Sequence, residues 1–162
     1  MLSTSVSVQR EAFDVGAEIA ALTRDQHSIG AVASFLGLVR DMHVGNAGVD
    51  RVSAMTLEHY PGMTEAALQE IVAEARARWE LLAVRVIHRI GRLEPGDAIV
   101  LVIVAAAHRG EAFAACEFIM DYLKTRAPFW KKEEGSAGPE SGRWVDAREG
   151  DDKAAARWEI GK

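Results

Sequence analysis

The nine residues 124–132, Lys-Thr-Arg-Ala-Pro-Phe-Trp-Lys-Lys, carry four cations and no acid, in a chain whose net charge is −5. A charge run is by default a solvated surface, and that reading stays open here. Two features weigh against it. Pro128, Phe129 and Trp130 stiffen the backbone, and the run leaves the end of an apolar-striped segment. Lys124 and Lys131 would then converge on one concave spot and hold an anion between them. His108 and Arg109 stand directly after the apolar run 98–107. A buried strand that emerges into a loop often delivers binding groups in this way, here several donors suited to a phosphate. Arg40 closes Gly37-Leu38-Val39-Arg40 after another apolar run, offering a planar fork for phosphate or carboxylate. Taken singly, each of these cations also reads as surface. Three such groups behind strong core segments predict a joint anion pocket.

Other residues narrow the chemistry. Cys116 is the sole cysteine, so no internal disulfide or Cys-rich metal site is available. It shares an apolar stripe with Phe113 and Met120, which reads as core packing and not as the exposed, acidic thiol of a sulfur carrier. His27, His43, His59 and His88 show no metal-ligand spacing. Gly91 and Gly96 lack the following Lys-Ser/Thr of a phosphate loop. Residues 58–63, Glu-His-Tyr-Pro-Gly-Met, gather polar and aromatic groups at a strand end, as a pocket wall or a dimer contact would.

The elements that must carry these groups follow from periodicity. Residues 6–8 suit a first strand, and 13–22 a helix with Phe13, Ile19 and Leu22 on one side. Residues 29–39 read as a buried strand, 41–50 as a polar loop and 52–60 as a strand. Pro61-Gly62 opens a helix with Leu68, Ile71, Val72, Ala75 and Trp79 on one stripe. Residues 83–90 and 98–107 predict a long antiparallel hairpin, joined through Pro95-Gly96 at the centre of a type II turn. Residues 111–126 give the clearest helix, with Phe113, Cys116, Met120 and Leu123 on one face. Pro128 disfavours helical geometry at Ala127 and ends it. Residues 135–142 read as a mobile loop and 149–162 as a C-terminal tail. The predicted class is α+β: one domain over residues 1–162, with a mixed or antiparallel sheet covered by helices.

Composition sets the outer bounds. The chain has 162 residues, 49% hydrophobic and 27% charged, enough for one core without a covalent staple. An acidic balance argues against a general nucleic-acid binder. The longest apolar run has ten residues, where a membrane span needs about 20. A cytoplasmic protein is expected, with no membrane partner.

The ordered segments 35–40 (Phe-Leu-Gly-Leu-Val-Arg), 57–63 (Leu-Glu-His-Tyr-Pro-Gly-Met), 86–91 (Val-Ile-His-Arg-Ile-Gly), 107–109 (Ala-His-Arg), 120–124 (Met-Asp-Tyr-Leu-Lys), 128–133 (Pro-Phe-Trp-Lys-Lys-Glu) and 143–145 (Arg-Trp-Val) resemble the molybdopterin synthase large-subunit family. The resemblance spans residues 13–158. It implies an α/β hammerhead-like domain with an antiparallel β-rich subdomain. It implies a homodimer at the centre of a heterotetramer, each end capped by a small ubiquitin-like sulfur-carrier subunit. The implied reaction converts cyclic pyranopterin monophosphate (precursor Z) to molybdopterin. Two sulfurs arrive on the carrier's C-terminal thiocarboxylate, with no permanently bound cofactor and no metal. By the same resemblance Lys124 and Lys131 are the catalytic pair; our own expectation divides them, Lys124 as acid/base and Lys131 stabilising negative charge. Neighbouring cations would push a lysine pKa down toward the working range. Substrate contacts fall to Leu38, Val39, Arg40, His108, Arg109, Lys124, Lys131, Lys132, Glu133 and Arg143, the last reaching in from a neighbouring subunit. At Leu38, where relatives carry a polar or basic residue, the backbone of Leu38 and Val39 would serve.

Two other classes compete. A non-catalytic module would use residues 124–132 for RNA or another polyanion, stacking bases on Phe129 and Trp130. A scaffold subunit would keep the fold without activity.

Overall fold

The computed structural model describes residues 4–45, 48–135, 143–145 and 149–159. In chain order these form β1 (Thr4–Gln9), α1 (Val15–Thr23), β2 (Ala31–Leu38), β3 (Met42–Gly45), β4 (Gly48–His59) and α2 (Met63–Arg78). There follow β5 (Leu81–Arg89), β6 (Gly91–Leu93), β7 (Ala98–Ala106), α3 (Arg109–Arg126), β8 (Phe129–Gly135), β9 (Arg143–Val145) and α4 (Glu149–Ala156), which runs into a single 3-10 turn at Arg157–Glu159.

The first sheet has the order β1-β5-β7-β2, with β1 parallel to β5 and the remaining pairs antiparallel. Its central strands are apolar at nearly every position because both faces are covered. Val84, Val86, Val100, Val102 and Val104 face α2 and α3, while Ile87, Leu101 and Ile103 face Phe13, Val15, Ile19 and Leu22 around α1. Asp14 starts α1 by accepting the Ala17 amide at 2.8 Å. The predicted β5–β7 hairpin is present, and the Asp97 amide donates to the Glu94 carbonyl at 2.9 Å to close its turn. Gly96 takes φ +91° at the third turn position, where a side chain would be strained.

The second sheet has the order β3-β4-β8-β9, with β6 also paired to β4, and every pairing is antiparallel. The chain crosses into it at Gly91, whose φ of +87° allows the corner. Val39, Met55, Leu57 and Leu93 bury a small core there, with Ile99 packed against it. This is the β-rich subdomain that the family resemblance implies.

Three expectations need correction. Residues 41–50 are not a loop: they supply β3 and the start of β4, paired Met42 to Arg51 through Gly45 to Gly48. The β2 strand is not buried. It lies at the sheet edge with Val32, Phe35, Leu36 and Leu38 exposed, because apolar composition fixes β propensity and not position in the sheet. Phe113 is 67% exposed although it sits at helical spacing from buried Cys116 and Met120. The C-terminal tail, whose order the sequence left open, forms α4 and the 3-10 turn that follows it, and these pack on α3. Trp158 meets Trp79 and Phe118 edge-on at 5.7 and 5.5 Å and donates its indole N–H to Asp121 at 2.6 Å. The expected loop 135–142 lies outside the described residues beyond Gly135, the last residue of β8.

Candidate active site

The lysine-bearing segment turns sharply. Helix α3 stops at Ala127, which leaves helical geometry at φ −80°, ψ 126° because Pro128 follows. The Phe129 amide donates to the Ala127 carbonyl at 3.0 Å, a tight turn about Pro128, and β8 begins at once. Sequence reading recognised the helix end and missed the strand, since residues 129–135 mix charge and aromatics without a clean alternation.

Pairing with β4 sets the register: Phe129 opposite His59, Lys131 opposite Leu57, Glu133 opposite Met55. Side chains alternate along a strand, so Phe129, Lys131 and Glu133 share one face while Trp130, Lys132 and Glu134 share the other. Lys131 Nζ meets Glu133 Oε1 at 3.0 Å, with the Glu133 side chain only 7% exposed. A buried carboxylate therefore stands beside Lys131. Lys132 faces away from this pair, next to Trp130, whose ring packs toward Tyr60 at 6.2 Å.

The buried His88 ring stacks on Phe129 at 3.7 Å and 18°. Its Nδ1 lies 2.8 Å from the Arg89 carbonyl, so that nitrogen carries the proton and donates. Burial lowers the His88 pKa to about 4; the charges of Lys124 and His59 push the same way and the Arg89 bond opposes them. The ring is thus neutral near pH 7. Lys124 lies on the last turn of α3, its charge acting on the His88 ring, and Lys131 lies two residues past Phe129 in β8.

Arg126, the fourth cation of the run, is engaged elsewhere: both of its terminal nitrogens donate to Glu74 of α2, at 3.0 and 2.8 Å. Val39 is buried, and its amide donates to Asp97 O at 2.9 Å while its carbonyl accepts from Gly96 N at 2.8 Å. Its N–H is therefore committed to the hairpin turn and is not open to a ligand, contrary to the sequence reading. Leu38 is 50% exposed, beside that turn. Arg40 is exposed and follows Val39, whose side chain packs with Met55 and Leu57, the residues opposite Glu133 and Lys131. Arg143 lies opposite Glu133 across β8–β9, and the direction of its side chain lies outside the described residues.

His108 and Arg109 do not join this group. They are exposed at the start of α3, where β7 ends, and Lys124 lies fifteen residues further along one continuous helix. At 1.5 Å per residue the separation is about 22 Å. Arg40 sits at the opposite end of β2 and β7 from them, since Leu38 pairs with Ala98 and Ala31 with Ala106. Within one chain these residues fall toward two ends of the fold: Lys124, Lys131, Glu133 and Arg40 lie away from His108-Arg109, which stand where β7 meets α3.

Two residues near the lysines went unrecognised as part of the site. His88 had been set aside for lack of metal spacing, and Thr64 was not singled out at all. Only the packing of distant segments reveals them. Cys116 is buried as expected, its thiol pushed up to about 11 by burial and then by the Glu117 charge.

The family model described as MoaE protein matches residues 8–126 of the chain. This chain belongs to the MoaE protein family. It is 60% identical over 156 residues to the molybdopterin synthase catalytic subunit of Ralstonia nicotianae, covering 96% of this chain and 85% of the relative. It is 58% identical over 159 residues to the Escherichia coli protein of the same name, covering 98% and 100%. The solved molybdopterin biosynthesis MoaE protein of Burkholderia ambifaria superposes with a TM-score of 0.80 at 52% identity, over 98% of this chain and 99% of that one. The MoaE model match stops at Arg126, whereas the similarity to the Escherichia coli protein continues through Lys131, Glu133 and Arg143.

Proposed function

We propose that this MoaE-family chain is the catalytic subunit of a molybdopterin synthase, adding two sulfurs to cyclic pyranopterin monophosphate to form the dithiolene. The reading is carried by Lys124 in the last turn of α3 and Lys131 early in β8, on either side of the tight turn at Pro128. An ammonium there moves a proton as sulfur adds, and a second holds developing negative charge. Lys124 takes the first role. Lys131 takes the second, and Glu133, beside it in the strand, orients it. Arg40 supplies a phosphate contact at the same end, with Arg143 one strand away.

Sulfur comes from outside the chain, on the thiocarboxylate of a small carrier subunit, with no resident cofactor. The one cysteine is buried as an un-ionised thiol, so it is unsuited to carry sulfur itself. The relatives are named as a subunit, which calls for a companion, and the exposed apolar side chains of edge strand β2 offer a face for subunit contact. His108 and Arg109 reach a lysine pair only from a second copy, as in a homodimer within a heterotetramer. The polyanion-binding alternative loses its basis: Phe129 is covered by His88, Arg126 is paired with Glu74, and Lys131 with Glu133.

The test is reconstitution with precursor Z and thiocarboxylated carrier, reading the product as its oxidised fluorescent pterin. Wild type is expected to form product. Lys124→Ala is expected to lose at least about a hundredfold in rate while still binding carrier. A folded wild type that binds carrier and forms nothing would sink the assignment.

A further inference from the structure

The corner between β4 and α2 has no role in the reaction as described, yet it grips the turn that spaces the two lysines. Thr64 is fully buried. Its hydroxyl accepts from the Tyr60 amide at 3.0 Å and donates to the Pro128 carbonyl at 2.9 Å. Pro128 has no N–H, so that carbonyl is its only backbone hydrogen-bonding group, and Thr64 takes it. One residue on, His88 lies flat on Phe129. The corner is itself braced: the Gly62 amide donates to Glu65 Oε2 at 2.7 Å, and Glu65 Oε1 lies 3.3 Å from Nε2 of His59, the residue opposite Phe129.

We propose that Thr64 is a positioning residue: its hydroxyl, with His88 packed on Phe129, fixes the turn at Pro128 and so the separation and aim of Lys124 and Lys131. The inference rests on the role given to those lysines above. It also gives residues 58–63 a function, as the brace behind the lysine turn. Valine in place of Thr64 keeps the shape but leaves the Pro128 carbonyl and the Tyr60 amide without the partner they have. The turn then relaxes, and a displacement of about 1 Å at a reacting group costs rate out of proportion to its size.

The experiment is Thr64→Val in the reconstituted synthase with saturating carrier. The expected result is a kcat lower by about ten- to a hundredfold, with KM for the pterin within about twofold of wild type. Thr64→Ser, which keeps the hydroxyl, returns kcat to within about threefold. With isotope-labelled lysine, the NMR signals of Lys124 and Lys131 move in Thr64→Val and superpose on wild type in Thr64→Ser. If Thr64→Val does not fold, Phe129→Leu takes its place, removing the ring beneath His88, and the same split between kcat and KM is expected. Wild-type kcat with unmoved lysine signals in the folded variant overturns the proposal, as does Thr64→Ser as impaired as Thr64→Val. A wild type that forms no dithiolene, while the lysine signals still move in Thr64→Val, removes the reaction and leaves the positioning role standing.

Discussion

At the residue scale, His88 couples the lysine site to stability. A histidine that stays neutral in the fold down to about pH 4 takes up its proton near 6.5 when unfolded. Between those values the unfolded chain binds more protons, so stability rises with pH there. The contribution of His88 is complete above about 6.5 and lost as pH falls through 4, up to about 3 kcal/mol in all. Urea unfolding from pH 7 to 4 is therefore expected to steepen in wild type relative to His88→Phe. Parallel pH profiles for the two proteins would contradict this origin of the pKa shift.

At the element scale, α3 carries the lysine end, and polar contacts on either side add to its packing on the sheet. Arg126 ties its last turn to α2 through the two-pronged bond to Glu74. On its outer side, Arg157 reaches Glu117 at 2.6 Å and Asp121 at 2.8 Å, and Trp158 fills the space against Trp79 and Phe118. Trp158 is half-buried, so Trp158→Ala is expected to cost about 2 kcal/mol, below the value for a fully buried tryptophan. Chemical denaturation measures it. Unchanged stability would mean that α4 does not dock on α3 in solution.

At the scale of the whole molecule, the length of α3 decides which residues one site can contain. Some 22 Å of helix separates His108-Arg109 from Lys124, beyond what two side chains span. If both clusters serve one reaction, each site takes Lys124 and Lys131 from one copy and His108-Arg109 from another. Mixing inactive Lys124→Ala with inactive Arg109→Ala chains and reassorting them should then restore roughly a quarter of wild-type activity, since half the symmetric dimers are mixed and each holds one intact site. No recovery in verified mixed dimers would place both clusters in separate tasks.

The sequence by itself determined what local chemistry can dictate. Periodicity marked α2, α3, β5 and β7, Pro128 marked the end of α3, Pro95-Gly96 marked the turn, and the ordered motifs marked the family. The two lysines were legible because their spacing across a proline is a short-range fact. What needed the tertiary structure was everything set by segments meeting across the chain. Only pairing with β4 made residues 129–135 a strand and turned Lys132 away from Lys131. Only the sheet order exposed β2, and only the hairpin contact committed the Val39 amide. The Thr64–Pro128 bond joins residues 64 positions apart. Hydrogen bonds and burial depend on neighbours in space, and one-dimensional spacing does not encode which neighbours those will be.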